Sequence, residues 1–204
     1  MDQCRTGDLW VKEICRKSFA LLNRFYRCGG MWLPVRARRA PVNALVMPVL
    51  DYGSVLHSGI LAINKRKLQR IQNCCMRFVY AKGRRESITQ LYAENEVMPV
   101  NVRYDWLLLG VFYKAVVKQL GPQYIAEKFT RPADVHAHST TFSQYRCIRP
   151  AYKTNGMKSS VCYRAVELWN SLPTQVYMGD GGGFVSAQVS VSYTHLTLPT
   201  IYSV

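Results

Sequence analysis

The chain has 204 residues, 49% hydrophobic and 12% aromatic, which suffices for a packed core and argues against wholesale disorder. Its 27 Lys and Arg against 12 Asp and Glu leave a net charge of +15, an imbalance that a folded domain tolerates best beside a polyanion. Nucleic acid is the expected partner and an acidic membrane surface the next choice. A membrane span is not expected, because the longest apolar run, Trp106 to Val117, is broken by Lys114 and falls far short of the about 20 residues a span needs.

From Leu9 to Cys28, Val11, Ile14, Cys15, Ser18 or Phe19, Leu22, Phe25 and Tyr26 recur at three- and four-residue steps. This predicts an amphipathic helix, capped by Asp8 or Thr6 and stopped at Gly29-Gly30, with Lys12, Arg16, Arg24 and Arg27 on its outer side. Pro34, Pro41 and Pro48 then divide the chain into short helical pieces, Val35 to Ala40, Val42 to Met47 and Val49 to His57. Asn64 is the expected cap of the next helix, Lys65 to Ala81. A short helix follows over Ser87 to Asn95, then a long one from Pro99 to about Leu120, with a further turn or two over Gln123 to Phe129. From Thr130 to Gly156 the chain turns rich in Thr, Ser, Arg and Tyr, and partial alternation in YRCIRPAYKT predicts a short β-hairpin or irregular arm around 142–158. Ser159 or Ser160 caps a last helix to about Asn170, stopped before Pro173, and Gly179 to Gly183 reads as linker.

The expected fold is therefore mainly α, a helical bundle with that one hairpin. Its segments are 1–83 with the basic helix, 84–129, 130–176, and a linker and tail over 177–204.

On a wheel of about 100° per residue, Leu68, Ile71, Cys75, Phe78 and Val79 form one stripe of the 65–81 helix, and Arg66, Arg70, Asn73 and Arg77 lie opposite. No acidic residue occurs between Asp51 and Glu86. A solvated face normally mixes signs, so the reading is a phosphate rail of Lys65, Arg66, Arg70 and Arg77, extended past the helix by Arg84 and Arg85. The plainer reading is a solvated basic face. A second acid-free stretch, Val135 to Val166, mixes Arg146, Arg149, Lys153, Lys158 and Arg164 with Tyr145, Tyr152 and Tyr163. That mixture fits single-strand binding and ordinary packing equally.

Catalytic signatures are missing. Two-metal chemistry needs convergent carboxylates, and the acids here are scattered, with neither Asp-Asp nor Asp-x-Asp. Glu94-x-Glu96 ends a polar helix, no phosphate-binding glycine loop is present, and His136-x-His138 lacks the paired spacing of a zinc site. The seven cysteines include no CxxC pair, and MDQCRTGDLW lacks the pattern of a secretory leader. Reduced thiols and an intracellular location, nucleus and cytoplasm, are expected.

The segment ALVMPVLDYGSVLHSG followed by INKRKLQRIQNCCMRFVYA resembles the region just after the polymerase core of non-LTR retrotransposon reverse transcriptases. The matching residues are Pro48, Leu50, Tyr52 and Gly53 for Pro-x-Leu-x-Tyr-Gly, then Leu68, Ile71, Gln72 and Arg77. AVELWNSLP, with Trp169, Asn170 and Pro173, resembles a signature near the end of many such proteins. The resemblance covers roughly Leu9 to Pro173. It implies a thumb, and helices after it, gripping RNA, an RNA–DNA hybrid or duplex DNA. The palm, its Ala-Asp-Asp motif and its Mg2+ would lie upstream of Met1, leaving this chain without cofactor or catalysis of its own. Trp10, Trp32, Trp106 and the DYG loop are the expected surface toward that palm. Departures are Pro41, where a kink or restart is expected, and the lack of a Cys/His knuckle. A stand-alone basic nucleic-acid-binding protein, or a relic of a decayed element, is the alternative. The last residues, VSYTHLTLPTIYSV, resemble the translation of a sequencing-library adapter and carry no expected role.

Overall fold

The computed structural model describes residues 7–118, 120, 121, 123, 127, 129 and 146–172. It is mainly helical, and no strand occurs among the described residues. The helices are α1 (Asp8–Arg27), α2 (Val35–Pro41), α3 (Met47–Asp51), α4 (Ala62–Tyr80), α5 (Thr89–Glu94), α6 (Val100–Phe112), α7 (Asn155–Lys158) and α8 (Val161–Ser171). Two compact units share the chain: one runs up to Ser54 and over Ile60–Arg103, the other takes Val55–Gly59 and the chain from Tyr104 on.

In the first unit α1 and α4 lie parallel. Asn64 donates to Asp8 Oδ1 at 2.7 Å near their starts, and Phe25 stacks on Phe78 at 5.9 Å near their ends. Val11, Ile14 and Leu22 of α1 and Leu68, Ile71, Cys75, Phe78 and Val79 of α4 are buried as expected, whereas Phe19 and Tyr26 of the α1 stripe are exposed and Ser18 is buried. Asn64 is not a cap. It lies inside α4, which starts at Ala62, and its buried amide is spent on Asp8, while Leu61 occupies the cap position.

The prolines do not cut the chain into separate pieces. Helical dihedrals run on from α2 through Pro41 and a wide turn over Val42–Val46 into α3, with Met47 N–H donating to Val42 O, five residues back. A proline ring clashes with the carbonyl four residues before it, and widening one turn ahead of Pro48 moves the carbonyls aside without breaking the helix. The expected helix from Val49 to His57 ends instead at Asp51. Tyr52 has φ −60° and ψ 120°, Gly53 has φ +69°, and Ser54 N–H returns to Asp51 O at 3.1 Å. These are the dihedrals of a type II turn, whose third position favours glycine. Leu50 of the same motif is buried, and Pro48 sits in the first turn of α3. Asp51 also accepts both ends of the Arg103 guanidinium at 2.6 Å.

Helix α4 stops because Ala81 turns left-handed, φ 53° and ψ 37°, and Lys82 N–H closes on Arg77 O at 2.9 Å. An L-residue there costs about 1–2 kcal/mol. Ala81→Gly should therefore raise stability by about 1 kcal/mol, read as a Tm gain of a few degrees with unchanged helix content.

The second unit is built on α6, its wide final turn Tyr113–Val117, and α8. Leu108, Leu109, Phe112, Ala115, Val116, Cys147, Ala165, Val166, Trp169 and Leu172 are buried together. Ser160 caps α8, its Oγ accepting from Tyr163 N–H at 3.4 Å. The expected hairpin is absent over its described part: residues 146–154 carry no strand, and Asn155–Lys158 is a helical turn. Residues 142–145 lie outside the described residues. Partial alternation over so few positions was weak evidence for pairing, and Cys147 is instead held by the side chain of Asn170.

Candidate nucleic-acid interface

Helix α4 presents three sides. The apolar stripe faces α1. A polar side bearing Gln69, Gln72 and Asn73 is covered by the chain that follows the helix. Gln72 Nε2 donates to Met98 O at 2.8 Å, Gln69 Oε1 accepts from Val100 N–H at 2.9 Å, and Tyr92 Oη donates to Asn73 Oδ1 at 2.7 Å. The remaining side faces solvent and carries Arg66 and Arg70, one turn apart and exposed, with no side-chain partner among the described residues. Lys67 stands beside them and donates to Asn64 Oδ1 at 3.1 Å. Lys65 is half-buried at the edge of this strip.

Arg77 does not continue the rail freely. Its Nε donates to Gly83 O and its Nη2 to Glu86 O, both at 3.3 Å, so its guanidinium acts as a clip for the turn after the helix. Asn73 is likewise withdrawn. A helical wheel gives the direction of a side chain but not what the following chain lays over it, and for these two residues the cover decides. The clipped turn holds Arg84 and Arg85 exposed. Glu86 caps it: its carboxylate accepts from Gly83 N–H at 2.6 Å and pairs with Lys82 at 3.3 Å, contacts that hold its pKa below the ordinary carboxylate value.

The basic surface is wider than α4. No acidic residue occurs from Ile14 to Leu50, a signal as plain as the one from Tyr52 to Arg85 and one that the helix-by-helix reading passed over. On α1, Lys12, Arg16, Arg24 and Arg27 are exposed as expected, and on α2 so are Arg36 and Arg39. Glu13 alone offsets part of this, bonding Arg16 at 2.7 and 2.8 Å and Lys17 at 3.4 Å, which drives its pKa down to about 2. Arg38 is the exception on α2: it is buried and donates to Phe78 O at 2.8 Å.

In the second acid-free stretch Arg164 and Tyr163 are spent on packing. Arg164 bonds both oxygens of Asp105 at 2.7 and 3.0 Å, and Tyr163 is buried with its ring edge-on to Tyr152 at 5.1 Å. Among the described residues of the stretch, Arg146, Arg149, Tyr152, Lys153 and Lys158 are exposed, with Lys158 Nζ over Tyr152 at 5.8 Å. Tyr145 and His136-x-His138 lie outside the described residues, as does Pro173.

Trp169 is a core residue, its ring 5.2 Å from Phe112 and 6.4 Å from Tyr113. Asn170 does not cap α8. Its amide grips one residue of backbone, accepting from Cys147 N–H at 3.1 Å and donating to Cys147 O at 2.8 Å. Of the surface expected to face a palm, Trp32 and Tyr52 are exposed, 93% and 76%, whereas Trp106 packs against the second unit's core.

Burial pushes the Cys75 thiol up to about 12, and among the described residues the cysteines are free thiols. Among the same residues no three His, Cys, Asp or Glu side chains converge, and no helix is long and apolar enough to cross a membrane. Comparison with protein-family models, with curated proteins and with solved structures finds no match.

Proposed function

We propose that this chain is a nucleic-acid-binding portion of an RNA-directed DNA polymerase of the non-LTR retrotransposon kind. Its first unit grips the backbone of an RNA–DNA hybrid or duplex, while a palm elsewhere in the polymerase does the chemistry. The observation that carries the reading is the exposed, unpartnered pair Arg66 and Arg70 on a helix with no acidic neighbour in sequence from Tyr52 to Arg85. Guanidinium groups kept free of carboxylates are matched to phosphate, which they meet with charge-assisted, bidentate bonds. Arg84 and Arg85, held outward by the Arg77 clip, extend the contact.

The order of the two motifs supports the polymerase assignment. So does what their residues do: Gly53 makes the turn, Leu68 and Ile71 fill the core, and Gln72 and Arg77 fasten the chain that follows. These are the roles of a scaffold that places a basic face. In this reading Mg2+ and the catalytic carboxylates belong to the palm, and the chain incorporates no nucleotide itself.

Binding to a labelled RNA–DNA hybrid should fall steeply with salt. Each phosphate contacted adds about 0.9 to the slope of log K against log salt, so four or more contacts give about 4. Fluorescence anisotropy across a salt series measures it. A slope near zero, or no binding at low salt, rejects the reading.

A further inference from the structure

Trp32 is the most exposed large apolar side chain among the described residues. It is not on a loose arm. Gly29 turns left-handed at φ +71°, Trp32 N–H closes on Gly29 O at 3.0 Å, and Leu33 N–H closes on Gly30 O at 3.2 Å. Gly30 is buried so tightly that an added Cβ would come within 2.6 Å of Phe25 O and 2.8 Å of the Phe78 ring. The turn is thus seated on the core of the first unit, and it holds a bare indole out in solvent.

The charges around it narrow the choice of partner. Arg24 and Arg27 lie in the last turn of α1, just before the indole, and Arg36 and Arg39 lie on α2, just after it. All four are exposed, and the chain from Ile14 to Leu50 offers no acid to balance them. Tryptophan and arginine both occur at protein–protein interfaces, so the choice of partner rests on the unbalanced charge, which suits a polyanion. A partner with flat apolar faces and an anionic edge fits this surface well, and a nucleotide has both. Inside a duplex the base faces are covered by their neighbours, so the indole can reach only an unpaired base.

We infer that the Gly29–Leu33 turn is a stacking platform for an unpaired nucleotide continuing from the bound duplex, with Arg27 and Arg36 on its phosphates. The inference rests on the proposed grip and adds a single-stranded substrate to it.

The test compares a blunt RNA–DNA hybrid with the same hybrid carrying a four-nucleotide overhang, both at one salt concentration. The wild-type chain should bind the overhang form about tenfold tighter, within the range of stacking on one aromatic ring. Trp32→Ala should abolish that preference, Trp32→Phe should keep most of it, and blunt-hybrid affinity should stay within about twofold in both. A preference that survives in Trp32→Ala overturns the platform, and so does an equal loss on both ligands. Self-association of the wild type that Trp32→Ala abolishes also overturns it, since the turn would then meet a second copy. Tight blunt binding with no overhang preference fails the platform and keeps the grip. Single-strand binding lost in Trp32→Ala, without any blunt binding, does the reverse.

Discussion

Replacing Arg66 and Arg70 together by Glu should weaken binding to an RNA–DNA hybrid by about a hundredfold or more, while the protein stays folded. A hydrogen bond to a charged group contributes about 1.5–3 kcal/mol, so two lost contacts account for the first hundredfold, and repulsion by the new carboxylates adds to it. Neutral replacement separates contact from repulsion: Arg66→Gln with Arg70→Gln should lower the salt slope by about 2. Neither side chain has a partner to lose, so unfolding free energy should move by less than about 0.5 kcal/mol. Arg77→Ala makes the informative contrast, because its guanidinium serves the carbonyls of Gly83 and Glu86. That variant should expose the 82–88 turn to protease and change binding less than the double reversal does. Equal losses from both would mean that the arginines act through the fold. Unchanged affinity in the double reversal removes the grip altogether.

How far the sequence could be read depended on the range of the interaction involved. Helix α4 was legible because the apolar period of Leu68, Ile71, Cys75, Phe78 and Val79 is a local property, and all five are buried. The Gly29-Gly30 stop and the Ser160 cap are local too, and both are found. Several polar side chains are instead decided by a partner outside their own helix. Asn64 has the right character for a cap, yet Asp8 claims it from 56 residues away. Arg164 closes an acid-free run that fits binding and packing equally, and Asp105, 59 residues upstream, decides for packing. Arg77 was withdrawn by a turn only six to nine residues on, which a wheel drawn over the helix alone does not include. Twelve acids cannot pair one to one with 27 cations, so some exposed cations are bound to remain, and Arg66, Arg70, Arg36 and Arg39 are among them.

Trp169→Ala should be among the most destabilising single truncations in the second unit, at about 3–5 kcal/mol by urea or thermal unfolding. The indole touches Phe112 and Tyr113 from α8 and is buried with Val166 and Leu172, so its loss leaves a cavity among these four that relaxation fills only in part. Against a domain stability of about 5–15 kcal/mol, that is a large fraction. Trp169→Phe keeps a ring against Phe112 and should recover most of it. Asn170→Ala tests a different force at the next residue. It deletes no core volume but strips Cys147 of both amide bonds, at about 1–3 kcal/mol. The pair also bears on function, because Trp169 belongs to the second unit and Arg66 and Arg70 to the first. Below its unfolding temperature, Trp169→Ala should bind the hybrid with the wild-type salt slope. A cost under about 1 kcal/mol, combined with a loss of affinity, would instead make this tryptophan a binding residue and move the nucleic acid onto the second unit.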